Sequence, residues 1–155
     1  MAERIHALAS HRLYVAIDGY TAAWKTTFGH ELAAEIRRLG RPTLRACLDD
    51  FKHPRSEAHL YDRLTGEGYF GNGYGYDFDA ARRFLLEQAG SEGTDDVVLA
   101  RIDPLTQENH QGRVVHALEN AVLVVDLVFA FRPEDDEYWD FRTWLDIDPA
   151  LRTTP

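Results

Sequence analysis

An α/β fold built on a mainly parallel sheet is the class this sequence predicts, and three observations predict it. A run rich in β-branched and aromatic residues at 13–17 ends in the turn signal Asp18-Gly19, an amphipathic helix pattern follows at 26–39, and a second apolar run occupies 43–48. A helix between two consecutive strands sets them parallel, because only a crossover of that length returns the chain to the same edge of the sheet.

The helix at 26–39 is carried by Phe28, Leu32, Ile36 and Leu39, with Gly40 and Pro42 as its stop. The strand at 43–48 reads as buried on both faces and delivers Asp49 and Asp50 to its carboxyl end. Ser56 is placed to cap a short helix to 64 and Asp79 another to 89, with Gly66 and Gly90 as their stops. A short strand is expected at 97–101, a strong buried one at 121–125 ending in Asp126, and a further one at 142–147 with Asp146 and Asp148 at its end. Alternating β and α elements place ligands at the carboxyl edge of the strands.

The 155 residues at 17.7 kDa, with 45% apolar and 12% aromatic residues, suit one domain spanning 1–155 with a single core. Gly-rich 66–75 and polar 89–96 are the linker-like stretches, and no internal repeat is present. A formal charge of −9 leaves no global field for nucleic acid or anionic lipid, so a polyanion must be gripped locally. The longest apolar stretch, 121–131, contains Asp126 and falls short of the roughly 20 residues a membrane helix needs. The first ten residues carry charges where a signal peptide is apolar, and the single Cys47 forms no internal disulfide, so the cytoplasm is the expected compartment.

Gly19-Tyr20-Thr21-Ala22-Ala23-Trp24-Lys25-Thr26-Thr27 lies between the first strand and its helix, where a GxxxxGK(S/T) phosphate loop belongs. Such a loop turns backbone N–H groups toward phosphates at a helix N-terminus, adds the lysine charge, and uses the next hydroxyl for Mg²⁺. Lys25 and Thr26 fit those roles. Trp24 replaces the second glycine, where a Cβ stands in the way of close approach, and its indole is expected to crowd a nucleotide. Asp49 in Leu48-Asp49-Asp50-Phe51-Lys52-His53-Pro54-Arg55, together with Asp126, brings carboxylates to the same sheet edge, the layout that phosphoryl transfer needs for a base and for anchoring a metal.

These residues resemble the uridine kinase-like phosphate-loop kinases. The likeness extends from Val15-Ala16-Ile17-Asp18-Gly19 and the loop, through the Asp49 segment and Tyr76-Asp77-Phe78-Asp79, to 124–134, Tyr138-Trp139-Asp140 and Trp144-Leu145-Asp146, about residues 13–148. The resemblance implies a three-layer phosphate-loop NTPase fold with helices on both faces of the sheet. It implies ATP and Mg²⁺, held by Gly19, Ala23, Trp24, Lys25, Thr26 and Thr27, with Thr26 and Asp126 serving the metal. Lys25 would contact the β and γ phosphates, Asp49 would take the proton of an acceptor hydroxyl, and Asp77 would hydrogen-bond the acceptor. Phe51 and Tyr76 would line the acceptor pocket. The sequence departs from the family pattern at Trp24 and at Leu127, where glycine is usual. The family's arginine-bearing lid and last strand have no counterpart before Pro155, which predicts slow turnover and an open sheet edge able to pair with a second copy.

Other chemistry-bearing residues read as structural. His53 near Asp49 and Asp50 matches no compact zinc spacing. His110 and His116 read as solvated, Arg113 has only its charge to suggest a phosphate, and Cys47 reads as a core residue. The acidic run 134–137 with Asp140 lacks the spacing of a Ca²⁺ loop. Two function classes remain: an ATP-dependent kinase acting on a hydroxyl of a nucleoside or similar small molecule, or a catalytically impaired or altered scaffold in which Trp24 blocks the phosphate site. A nucleic-acid binder is disfavoured by the charge and by the lack of a basic aromatic stripe.

Overall fold

The computed structural model describes residues 1–20, 23–54, 75–89, 93–103, 105–128 and 130–148. The chain divides into two compact units, one formed by residues 1–46 with 118–155 and the other by residues 47–117.

The first unit opens with helix α1 (Ala2–Leu8), whose Ala2 and Ile5 are buried one turn apart. Strand β1 (Leu13–Gly19) follows and leads into helix α2 (Lys25–Arg38). Leu32 and Ile36 point inward at helical spacing, while Arg37 and Arg38 in the last turn complement the negative end of the helix dipole. Gly40 adopts a left-handed φ of 89° and donates its N–H to Arg37, the conformation in which glycine ends a helix at little cost. Strand β2 (Thr43–Cys47) comes next, and β5 (Val122–Asp126) and β6 (Phe141–Leu145) complete a four-stranded sheet in the order β2-β5-β1-β6. β1 is parallel to both neighbours, with Ile17 opposite Asp126 on one side and Gly19 opposite Leu145 on the other.

Every residue of β5 is buried and β1 is buried except at Tyr14, as strands flanked on both sides must be, whereas edge strand β6 alternates. The core joins Leu13, Val15, Ile17, Val122 and Val124 of the sheet to Ile5 of α1 and Leu32, Ala33 and Ile36 of α2. Arg41 ties the amino end of the sheet together by donating to the carbonyls of Ala9 (2.6 Å) and Asn120 (2.8 Å), and burial draws its guanidinium below the usual arginine value. A 3₁₀ turn, Pro133–Tyr138, carries the acidic run between β5 and β6.

The second unit begins with a 3₁₀ turn, Leu48–Phe51, and contains helix α3 (Phe78–Ala81), continued by a π-helical turn at Arg82–Leu86, and the antiparallel pair β3 (Asp96–Val98) and β4 (Val114–His116).

Several expectations are corrected. β2 is not buried on both faces: Thr43 and Ala46 are buried, but Leu44, Arg45 and Cys47 are half-buried. Cys47 therefore is not a core residue, and its sulfur lies 3.9 Å from Asp49 Oδ2. The cap of the helix near 79 is Asp77, which accepts from Ala80 N at 2.8 Å. The third strand is Asp96–Val98, shorter than 97–101, and β6 ends at Leu145, ahead of Asp146, whereas β5 ends in Asp126 as expected. α1 and β4 were not expected. The helix expected from Ser56, and the stops at Gly66 and Gly90, lie outside the described residues.

Candidate functional site

The residues singled out by the sequence fall into two groups, one in each unit. In the first unit the strand-to-helix loop runs from Gly19 to Trp24, with Thr21 and Ala22 outside the described residues. A Cβ built on Gly19 would lie 2.4 Å from the carbonyl oxygen of Leu145, so glycine is required there by the neighbouring strand. Buried Ala23 closes the turn by donating its N–H to Tyr20 at 3.1 Å. Trp24 precedes α2 in the left-handed region, with φ 58° and ψ 26°, and its residue surface is 76% exposed. Lys25 Nζ donates to the carbonyls of Gly19 and Tyr20, both at 2.9 Å, and so holds its charge over the loop.

Among the described residues no side-chain cap bond forms at Trp24, and no acidic residue sits in the first turn of α2. The positive end of a helix dipole favours an anion at such a terminus. Thr27 is exposed on the same turn. Thr26 hydroxyl donates to Asp126 Oδ2 at 2.7 Å, joining the residue after the lysine to the carboxyl end of β5 across a hundred residues of chain. Hydroxyl and carboxylate oxygens are the hard donors that suit Mg²⁺, so the pair fits the expected metal. Asp18, also buried, accepts from Gly19 N (2.7 Å) and Ala130 N (2.8 Å) and fixes the turn after β5.

The second unit holds the other expected residues. Backbone pairing of Asp77 N with Phe51 O (2.7 Å) and His53 N with Gly75 O (2.8 Å) lays the segment around 76 beside the one around 52. That pairing brings Tyr76 hydroxyl to Asp49 Oδ1 at 2.9 Å, where Lys52 Nζ also lies at 2.8 Å. Lys52 further stands 4.9 Å from the centre of the Tyr76 ring. Phe51 is buried, at 1% exposure. Asp77 has Oδ1 on the helix cap and Oδ2 on the Arg101 guanidinium, with His53 Nδ1 3.7 Å away. Arg101 and Ile102 N–H groups both donate to Asp50 O, fastening the Asp49 turn.

The remaining candidates have ordinary partners. Arg113 pairs with Glu108, His110 Nε2 lies 3.8 Å from Glu108, and His116 pairs with Asp96 at 3.1 Å. N–H donation from Thr106 and Leu105 holds the Asp103 carboxyl below the usual carboxylate range, the mark of a tight turn. Among the described residues no group of three or more His, Cys, Asp or Glu side chains is placed to hold a metal. No helix among them is long and apolar enough to cross a membrane.

Sequence reasoning missed two arginines. Arg101, on Asp77, offers no signal beyond its charge. Arg45 does: it is a lone cation inside the apolar run 43–48, and such a residue needs a buried partner. That partner is Asp126.

No protein-family model matches the chain, and neither does any curated protein sequence. Solved structures do. A protein described as a possible uridine kinase, from Bacillus stearothermophilus, matches with a TM-score of 0.79 at 22% identity, over 96% of this chain and 79% of that one. A kinase assigned to a fructose transport system, from a Silicibacter species, matches with a TM-score of 0.66 at 19% identity, over 96% of this chain and 71% of that one. The strand, loop and helix that carry Lys25 thus belong to an α/β fold with a mainly parallel sheet, which this chain shares with those two structures.

Proposed function

We propose that the protein is an ATP-dependent small-molecule kinase of the uridine kinase type, transferring the γ-phosphoryl group of ATP to a hydroxyl of a nucleoside or similar acceptor in the cytoplasm. The observation that carries this reading is the Thr26–Asp126 hydrogen bond at the head of the Lys25 loop. It joins a phosphate-loop hydroxyl to the carboxylate that such kinases need beside it, and the structural neighbours described as kinases support the reading.

Lys25 and the leading N–H groups of α2, in the loop formed by Gly19, Ala23, Trp24, Thr26 and Thr27, hold the phosphates. Thr26, with Asp126 beside it, holds Mg²⁺. Bound Mg·ATP supplies the phosphoryl group and a cation that offsets its charge. Asp49 accepts the proton of the acceptor hydroxyl, and Tyr76 and Lys52 fix its carboxylate through their bonds to Oδ1. Asp77, oriented by its cap bond and by Arg101, binds the acceptor, with Tyr76 and Phe51 shaping that side.

A second reading, a scaffold silent toward nucleotide, is favoured by one observation: Trp24 places an indole where the motif has glycine. Calorimetric titration of Mg·ATP into the protein and into Trp24→Gly separates the two. Binding by both supports the kinase reading and leads to uridine and cytidine as first acceptors. Binding by the glycine variant alone makes Trp24 a block, and binding by neither overturns the phosphate-loop assignment.

A further inference from the structure

Beneath α2, Arg45 forms a buried charge cluster that the kinase roles above leave unexplained. Its side chain is 11% exposed and that of Asp126 is 3%. Nη1 donates to the carbonyls of Ala46 (2.6 Å) and Val124 (2.8 Å), and Nη2 donates to Asp126 Oδ1. Thr26 occupies the other carboxylate oxygen, Oδ2. Arg45 and Thr26 thus grip opposite oxygens of one buried carboxylate.

The surroundings are shaped for the guanidinium. Gly29 of α2 faces it so closely that a Cβ there would lie 2.6 Å from Nη2. Yet Nε is buried with no hydrogen-bond partner among the described residues. A buried ion pair with an unsatisfied donor contributes little net stability, because desolvation of two charges offsets their attraction. What it does supply is direction: the planar fork fixes the plane of the carboxylate it meets, which a point charge does not do.

We infer that Arg45 is a positioning residue that, through Asp126, sets the Thr26 hydroxyl for the metal of a bound nucleotide. With Oδ1 on the guanidinium, the carboxylate keeps Oδ2 for Thr26. Because Thr26 donates its proton to Asp126, the oxygen lone pairs of the hydroxyl face away from the carboxylate. Asp126 in this chain then serves the cation through Thr26. This inference rests on the kinase reading for its ligand, but the geometry it concerns exists without nucleotide.

The test has two parts. Nucleotide affinity is measured by calorimetry with ADP in excess Mg²⁺ and in EDTA, for the protein and for Arg45→Gln. The gain conferred by Mg²⁺ is expected to shrink about ten-fold in the variant, as when a partner behind a metal ligand is removed, while affinity in EDTA stays the same. In parallel, Thr26→Ala is made in both backgrounds and melted without nucleotide. Arg45 and Thr26 share Asp126 as a hydrogen-bond partner, so the Tm loss from Thr26→Ala should be clearly smaller once Arg45 is Gln. An unchanged Mg²⁺ gain, or an equal Tm loss in both backgrounds, overturns the inference. If the wild-type protein binds ADP in neither condition, the kinase reading falls, and the melting cycle alone sustains or overturns the positioning. Arg45→Lys, which keeps the charge without the fork, carries the same measurements if the glutamine variant does not fold.

Discussion

Replacing Gly29 by alanine should destabilise this protein, although alanine is the better helix former. Glycine inside a helix costs about 1 kcal/mol relative to alanine, and Gly29 lies within the 14 residues of α2, so propensity alone predicts a gain of that size. The packing opposes it. A Cβ at this position would stand 2.6 Å from Nη2 and 2.7 Å from Cζ of Arg45. A guanidinium on a free side chain would swing aside, but this one is held by two carbonyls and by Asp126. Losing the bond to Asp126 costs about 1.5–3 kcal/mol, the range for a hydrogen bond to a charged group. Subtracting the helix gain leaves a net loss of about 0.5–2 kcal/mol. At about 2–4 °C per kcal/mol for a chain of this size, Tm should fall by about 1–8 °C. The assay is thermal melting followed by far-UV circular dichroism of Gly29→Ala, Arg45→Ala and the double variant. With no guanidinium to displace, alanine at 29 should raise the Tm of the Arg45→Ala protein by about 2–4 °C. An equal rise from Gly29→Ala in the wild-type background would refute the claim that this glycine makes room for Arg45.

The same logic applies at Gly19, where the obstacle is backbone rather than a side chain. Gly19→Ala puts a Cβ 2.4 Å from Leu145 O, so a loss of about 1–3 kcal/mol is expected, read as a lower urea midpoint with unchanged slope; an unmoved midpoint would show that β1 and β6 do not approach so closely. Asp49→Asn should separate function from fold. The Asp49 side chain is 53% exposed and its ion pair with Lys52 is a surface one, so stability should stay within about 0.5 kcal/mol. ADP release with uridine as acceptor should fall by about 10²–10⁴-fold, and an undiminished rate would remove Asp49 as the base.

How much of this was legible in the sequence depended on how local each signal is. β1 and α2 showed because Leu13, Val15 and Ile17, then Phe28, Leu32 and Ile36, repeat at the spacing their own elements impose. α1 did not, since seven residues with two buried positions give too short a period to detect. β4 is three residues long with Val114 exposed, and it exists as a strand only through its pairing with β3. The helix cap fell to Asp77 rather than Asp79 because Asp77 N is bound to Phe51 O, a contact between segments distant in sequence. Arg45 is a lone cation in its apolar run, a signal that sequence reasoning passed over, and its meaning is not local, because its partner lies 81 residues further on. Residue types and spacing single out Lys25 and Thr26 in the loop and Asp126 at the end of β5, whereas the contacts of Lys52 with Asp49 and of Arg101 with Asp77 emerge only from the fold.

Trp24 changes character between sequence and structure. Glycine serves two ends at the second glycine of a phosphate loop: it reaches positive φ without strain, and it brings no Cβ near the phosphates. This chain keeps the first without glycine. Trp24 sits at φ 58°, a conformation costing an L-residue about 1–2 kcal/mol. Such a residue stays there when its neighbours over-determine it, and here they do. Lys25 Nζ is bound to the carbonyls of Gly19 and Tyr20, Ala23 N to Tyr20 O, and Phe28 N to Trp24 O. The described residues of the loop therefore hold Trp24 at positive φ, and a loss of nucleotide affinity is expected to come from its side chain. Trp24→Ala then divides the ring from the Cβ. If the ring is the obstacle, alanine and glycine variants should bind Mg·ATP with matching affinity in the same calorimetric titration. If glycine binds and alanine does not, the Cβ itself obstructs. If both variants bind no better than the wild-type protein, the side chain is not an obstacle, and the argument from loop shape fails.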